Sequence, residues 1–471
     1  MRAQRIFDPT RRHVLRSLIG GSALLPGIVS ELMASESSPS VSADPLAPKP
    51  PHFGPKAKRV IFLYMSGGVS HVDSWDPKPK LAASANRTVA VEEFQGRKGD
   101  FQMFLKPPQW TFEPRGQCGT QVSSLFPYMG ECVDDLCVIR SMRSDHTNHY
   151  EATLGIHTGS FTFARPSIGS WVSYGLGTEN RNLPSFVVIA PFSPYAGGQV
   201  WGSDFLPGSH QGTLVVPGAE PVANIRRRAA TSRLQEMELE AMARMNRRHL
   251  HQHAADPLLA SRIKSFETAF GMQAEMPEVF DLSRESDATL DLYGLPRGST
   301  QGFAWQCLIA RRLAERGVRF VELIDVGSSN NWDAHGEMLT HTALARNVDQ
   351  PIAGLLRDLK QRGMLDDTLV VWTTEFGRTP FNAAPGARGR EHHHWVFSSW
   401  LAGAGVKPGM TYGESDDFGI RVANNPVHVH DFHATILHLM GLDHTRLTFR
   451  HTGRDYRLTD VHGRVVKEIL T

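Results

Sequence analysis

The chain has 471 residues, with 50 Lys and Arg against 48 Asp and Glu for a net charge of +2, a balance that gives no basic footprint for nucleic acid. Its four cysteines, Cys118, Cys132, Cys137 and Cys307, are too few to staple a fold of this length. They show no C-x-x-C pair, which sets aside a thiolate zinc centre and leaves room for one disulfide.

The N-terminus reads Thr10-Arg11-Arg12-His13-Val14-Leu15-Arg16, then an apolar run from Leu18 to Val29 that is short for a membrane span. Paired arginines ahead of such a run have the order of a twin-arginine signal peptide. Gly20-Gly21 and Pro26 argue against a packed helix, and cleavage near Ala34 would leave residues 1–34 as the signal. The expectation is export to the periplasm, with the twin-arginine translocase as a transient partner. Residues 35–55 are rich in Ser, Pro and Ala and read as a linker, because they offer little apolar surface to offset the entropy of ordering. Residues 56–471 then form the body, and no later apolar run reaches spanning length.

Arg59 to Met65 is a compact apolar run that ends in Ser66-Gly67-Gly68, as a buried parallel strand does when it enters a ligand-facing loop. The same grammar recurs at Cys137–Arg140, Ser185–Ile189, Arg319–Ile324 and Thr368–Thr373. Between these runs lie helical stretches such as Ala343 to Arg362, with Gly363 as a stop signal. Strands alternating with helices predict an α/β fold with a mainly parallel sheet flanked by helices. Residues 224–270, dominated by Arg, Glu, Gln, Met and Ala, read as an inserted helical segment with a solvated face.

Ligands of open α/β sheets bind beyond the carboxyl ends of the strands, so the loops there are where chemistry is expected. The first holds His71, Asp73 and Asp76, donors that suit a divalent cation. The second runs from Ser141 to Tyr150. Its Ser144 offers a hydroxyl that a metal or base could activate, Arg143 a fork for an anionic transition state, and His149 an imidazole at a helix start. Asp333 and His335 follow the fourth strand, and Glu375 and Arg378 follow the fifth. His392, His393 and His394 form an imidazole cluster, but an extended backbone turns alternate side chains to opposite faces, so one of them, or the pair His392 and His394, is expected to contribute. Asp73, Asp333, His335, Glu375 and one or more of His392 to His394 are expected to meet at one point. The share of imidazole favours zinc or manganese over calcium or magnesium.

Together the stretch Ser66 to Pro79, Asn148-His149, Trp332-Asp333-Ala334-His335, Thr374 to Pro380 and His392-His393-His394 resemble a family of exported, sulfatase-like proteins of unknown function in the alkaline phosphatase superfamily. The resemblance implies a parallel sheet flanked by helices, divalent metals, and hydrolysis of an anionic phosphate or sulfate ester, including esters carried on a sulfated glycan. It implies Ser144 as nucleophile, with Arg143 or Arg378 steadying the anion. The chain departs from the superfamily in three places. No C-x-P-x-R or S-x-P-x-R stands anywhere, Ser66-Gly67 replaces the Asp that ends the first strand, and Glu375-Phe376 replaces an Asp-His pair. A second expectation follows from these losses: a catalytically degenerate member that binds sulfated or phosphorylated glycans or a partner protein.

Overall fold

The computed structural model describes residues 44–226, 231–253 and 256–471. The twin-arginine segment lies outside the described residues. A nine-stranded sheet organises residues 44 onward. Its strands are β1 (Arg59–Tyr64), β2 (Leu136–Arg143), β3 (Phe186–Ile189), β4 (Thr213–Val215), β5 (Phe320–Ile324), β6 (Thr368–Thr373), β7 (Phe397–Ala402), β8 (Met410–Tyr412) and β9 (Val427–His428). In space the order is β8-β2-β7-β6-β1-β5-β3-β4, with β9 also paired to β2. β1 lies parallel to β6 and β5, β3 parallel to β5 and β4, and β2 parallel to β8 and β9. Only β7 runs against its neighbours β6 and β2. The carboxyl ends of β1, β2, β5 and β6 and the amino end of β7 therefore share one edge.

Both faces of the sheet are buried, which is why its strands are apolar throughout and do not alternate. Along β1, Ile61 and Leu63 join one core cluster while Val60, Phe62 and Tyr64 join the other. Each such side chain contributes about 1.5–3 kcal/mol on burial. The flanking helices are α1 (His149–Thr158), α2 (Ile168–Leu176), α3 (Ser232–Gln252), α4 (Pro257–Phe280), α5 (Phe303–Glu315), α6 (Thr340–Gln361) and α7 (Val429–Leu439). The segment read as an insertion supplies α3 and the first part of α4, and α3 exposes Met237, Met242 and Met245.

Two features depart from the reading of the sequence. Residues 44–55, taken with the linker, pack on the body: Leu46 is buried, and the amides of Lys49 and His52 donate to the carbonyls of Leu176 and Gly441 at 3.0 and 2.9 Å. One buried leucine and the ladder of main-chain bonds outweigh the polar composition. A hairpin of Thr88–Phe94 and Arg97–Leu105 also occupies a stretch where no strand was read. It turns at Gln95 and Gly96, both at positive φ, as a two-residue hairpin requires. All four cysteines are free. No helix among the described residues is long and apolar enough to cross a membrane.

Candidate metal centre

At the shared edge, the loop after β5 brings Asp333 and His335 toward His149, the first residue of α1, and toward His392, which lies just before β7. One donor atom each from His149, Asp333 and His392 lies within 4.8 Å of the others. His335 joins them, its Nε2 2.8 Å from His392 Nε2 and 3.0 Å from Asp333 Oδ1. His392 Nε2 stands 3.2 Å from Asp333 Oδ1, and His149 Nε2 stands 3.3 Å from Oδ2. Gly67 makes this approach feasible. At φ +112° it has no Cβ, and one built there would fall 2.7 Å from the amide of Asp333.

The far nitrogens decide what these rings present. His149 Nδ1 lies 2.7 Å from Glu375 Oε1, His335 Nδ1 2.6 Å from Glu391 Oε2, and His392 Nδ1 2.6 Å from the carbonyl of Thr147. Each of those partners only accepts, so each Nδ1 carries its proton and each Nε2 is left with a lone pair. Three lone pairs and the Asp333 carboxylate thus converge, and the buried Nε2 of His149 has no hydrogen-bond partner. Asp333, Glu375 and Glu391 against the single Arg378 leave a surplus of two negative charges, which a divalent cation would cancel. Oriented imidazoles backed by carboxylates are the usual outer shell of a metal site.

Without a cation, protons fill part of that role. Hydrogen bonds to Asp333 and Glu391 raise His335 to about 9. Burial works against protonation of His149, yet Asp333 and Glu375 outweigh it and raise that ring as well. His392 is lowered, chiefly by burial. Burial also opposes ionisation of Asp333 and Glu375, but the imidazole hydrogen bonds hold both carboxylates below their ordinary range.

Glu375 acts behind the cluster. Fully buried, it accepts from the Gly67 amide, the Tyr64 hydroxyl and the Thr374 hydroxyl at 2.9, 3.0 and 3.1 Å as well as facing His149. Arg378 is also fully buried. It donates to the carbonyls of Gly67, Gly68 and Arg390 and pairs with Asp333 Oδ1 at 2.6 Å, so its donors point into the protein and not at a ligand.

The other expected ligands lie elsewhere. Asp73 sits on a one-turn helix, buried against Arg390 Nε at 2.7 Å, with the Ser70 hydroxyl at 2.6 Å and the Gln109 amide at 2.7 Å completing its bonds. Asp76 pairs with Lys78 Nζ at 2.9 Å and accepts from the Ser415 hydroxyl. His71 meets the carbonyl of Gly419 at 2.9 Å and stacks on His393, whose Nε2 meets the carbonyl of Ile420. His394 faces Glu93 at 4.0 Å. His392 and His393 pair with Arg378 and Gly377 in a short antiparallel ladder, whose pleat turns the two rings to opposite sides. Ser144 is buried with its Oγ unpartnered, and Arg143 lines a different cavity. Three participants went unread: Glu391, the Thr147 carbonyl, and Tyr195, whose ring stacks on His149 with centroids 4.2 Å apart. The adjacency of Glu391 to His392 was the available signal for the first.

Fold and site together define an α/β protein with three imidazoles and a carboxylate converging at the carboxyl edge of its sheet. A family model described as "Protein of unknown function (DUF1501)" matches residues 57–470, and the chain belongs to that family. No curated protein matches the chain. Solved structures similar to it include the lipoteichoic acid synthase LtaP from Listeria monocytogenes, at 10% identity over 88% of this chain and 79% of that one, TM-score 0.34. The PsFucS1 sulfatase from a Pseudoalteromonas species is 13% identical over 90% and 72%, TM-score 0.34. The phosphonate monoester hydrolase from Silicibacter pomeroyi is 11% identical over 73% and 71%, TM-score 0.32. TM-scores this low transfer no activity to this chain.

Proposed function

We propose that this protein is a metal-dependent hydrolase of phosphate or sulfate esters, exported by the twin-arginine route to act in the periplasm. The observation that carries the reading is the convergence of three imidazole lone pairs and Asp333 in a pocket with two surplus negative charges. His149, Asp333, His335 and His392 would hold the cation, and their nitrogen-rich set favours zinc or manganese. Such a cation supplies Lewis-acid polarisation of an ester oxygen and lowers the pKa of water. The chain's own groups orient and tune the site. Glu375 and Glu391 fix the tautomers of His149 and His335 and raise their basicity, and Arg378 locks Asp333 through Oδ1. Tyr195 closes one side by stacking on His149.

Ser144 Oγ has no hydrogen-bond partner and every guanidinium nitrogen of Arg378 already bonds to the protein, so neither role implied by the family resemblance is retained. These two observations favour a second reading, binding of a sulfated or phosphorylated glycan or a partner without turnover. The two readings separate on purified protein, by elemental analysis and by turnover of aryl phosphate, phosphodiester and aryl sulfate substrates with zinc or manganese. The hydrolase reading requires turnover that falls with His392→Ala and persists in Ser144→Ala. A metal-free protein that takes up none would refute the hydrolase reading, and tight glycan binding unchanged by chelation, without turnover on any of the three, would favour the binding reading.

A further inference from the structure

β9 joins the sheet beside β2 with Arg143 and His428 in register. There a cavity of about 430 Å³ opens, lined by Arg143, Asp145, His428, His430, His462 and Arg464. One donor atom each from Asp145, His428 and His430 lies within 4.8 Å of the others, which suggests a second metal site. The hydrogen bonds argue against it. His428 caps α7 through Nδ1, which accepts the amide of His430 at 3.2 Å. A neutral ring that accepts there carries its proton on Nε2, and that nitrogen donates to Asp145 Oδ2 at 3.0 Å. Its lone pair is thus withheld from a cation, the reverse of the three imidazoles around Asp333.

The remaining valences in the cavity are mostly donors. Asp431, the other carboxylate in its wall, accepts from the amides of His428 and Arg464 at 3.0 and 2.7 Å. Arg143 forms no ion pair among the described residues, and Arg464 meets both carboxylate oxygens of Glu468 through Nη1, at 3.0 and 3.2 Å, and bonds the Tyr412 side chain. His430 is 5% exposed with Nδ1 unpartnered; burial, with His428 and His462 beside it, lowers it to about 4, so the ring is neutral and free to carry its one proton on Nε2. Its ring is stacked between those of His428 and His462, with centroids 4.9 and 5.1 Å away.

We propose that this cavity binds a tetrahedral dianion, a phosphate or sulfate group, held by Arg143 and Arg464 with His430 and His462 as further donors. Guanidinium forks match the paired oxygens of such groups; the Asp145–His428 pair ties the loop after β2 to β9, and Asp431 holds the Arg464 amide against α7. The group would arrive either as the free ion or as the ester end of a larger molecule. The site stands whether or not the Asp333 cluster holds a metal.

The test is calorimetric titration of inorganic phosphate, sulfate and phenyl phosphate into the full chain carrying His392→Ala, which disables the Asp333 cluster. Phosphate should bind, and adding Arg143→Gln with Arg464→Gln should weaken it by about tenfold or more. Asp145→Asn should leave binding intact or tighten it, because it removes a negative charge from the wall. Phenyl phosphate binding as well as phosphate would assign the ester source, and phosphate binding alone the free ion. Imidazole resonances of His430 and His462 should shift on phosphate addition with both arginines intact, a reading independent of how the double variant folds. No binding by any of the three anions, or unshifted imidazole resonances, would overturn the proposal. So would zinc uptake at this cavity that Asp145→Asn abolishes.

Discussion

Glu375 offers the sharpest test of the metal centre because it touches the cluster through one atom and the fold through several. In Glu375→Gln the amide oxygen can keep the bonds at Oε1, to His149 Nδ1 and the Gly67 amide, while the hydroxyls of Tyr64 and Thr374 rotate to accept from the new NH₂. The charge behind His149 is then lost, together with the second, longer contact of the Gly67 amide at Oε2. A charge-assisted bond is worth about 1.5–3 kcal/mol and a neutral one about 1, so the loss is about 0.5–2 kcal/mol, or roughly 2- to 30-fold in metal affinity. Glu375→Ala removes every bond and leaves the buried Gly67 amide open, at about 1–3 kcal/mol, while the Tyr64 hydroxyl keeps Thr153 as a partner. Its metal affinity should fall by about 100-fold and the apoprotein should lose several kcal/mol. Zinc affinity by chelator competition and apoprotein stability by urea unfolding read the two effects separately. Zinc affinity unchanged in both variants while stability falls in Ala would show that Glu375 serves the fold alone.

Other changes separate ligand from scaffold. His392→Ala removes a donor and should weaken zinc by about 100-fold or more with little change in unfolding. Asp73→Asn, which strands Arg390 in a site where both side chains are 0% exposed, should cost about 3–5 kcal/mol and leave zinc affinity unaltered; the opposite pattern in chelator competition would return Asp73 to the metal. Acid should also destabilise the fold through its buried histidines, with part of the loss offset by Asp325 and Asp349, which burial raises to about 7 and 6 and whose protonation favours the folded state. Burial lowers His210, His341 and His433 to about 3, so the folded state favours their neutral forms. Their contribution is complete above the unfolded pKa of about 6.5 and is lost as pH falls from there toward 3, at up to about 1.4 kcal/mol per pH unit for each ring. Thermal midpoints should drop between pH 6.5 and 5, less steeply in His341→Gln, and a flat profile would contradict this. Changing Arg11 and Arg12 to Lys should hold the precursor in the cytoplasm, and normal periplasmic processing of that variant would refute the export assignment.

Much of the scaffold is legible in the amino-acid sequence. Five apolar runs ending in polar loops located five strands of the sheet, because a strand buried on both faces must be apolar at every position. The same pattern placed Asp333, His335, Glu375 and the His392 region at one edge. Choosing among neighbours needed more. The pleat of a two-residue ladder selected His392 over His393, and that ladder exists only because Arg378 and Gly377 lie opposite.

What the sequence determined by itself is the parallel α/β plan and the residue types gathered at its carboxyl edge, since both follow from local hydrophobic pattern and loop position. Only the tertiary structure decided which donors are free. Asp73 looked like a ligand until Arg390, 317 positions away, took its oxygens. His149 is placed to serve as one because Glu375, 226 positions away, holds its other nitrogen, whereas the Nδ1 of His428 is turned to a helix amide and its Nε2 made a donor. An imidazole or a carboxylate carries no role in its identity. Its role is set by what its remaining atoms meet, and those partners come from elements distant in the chain.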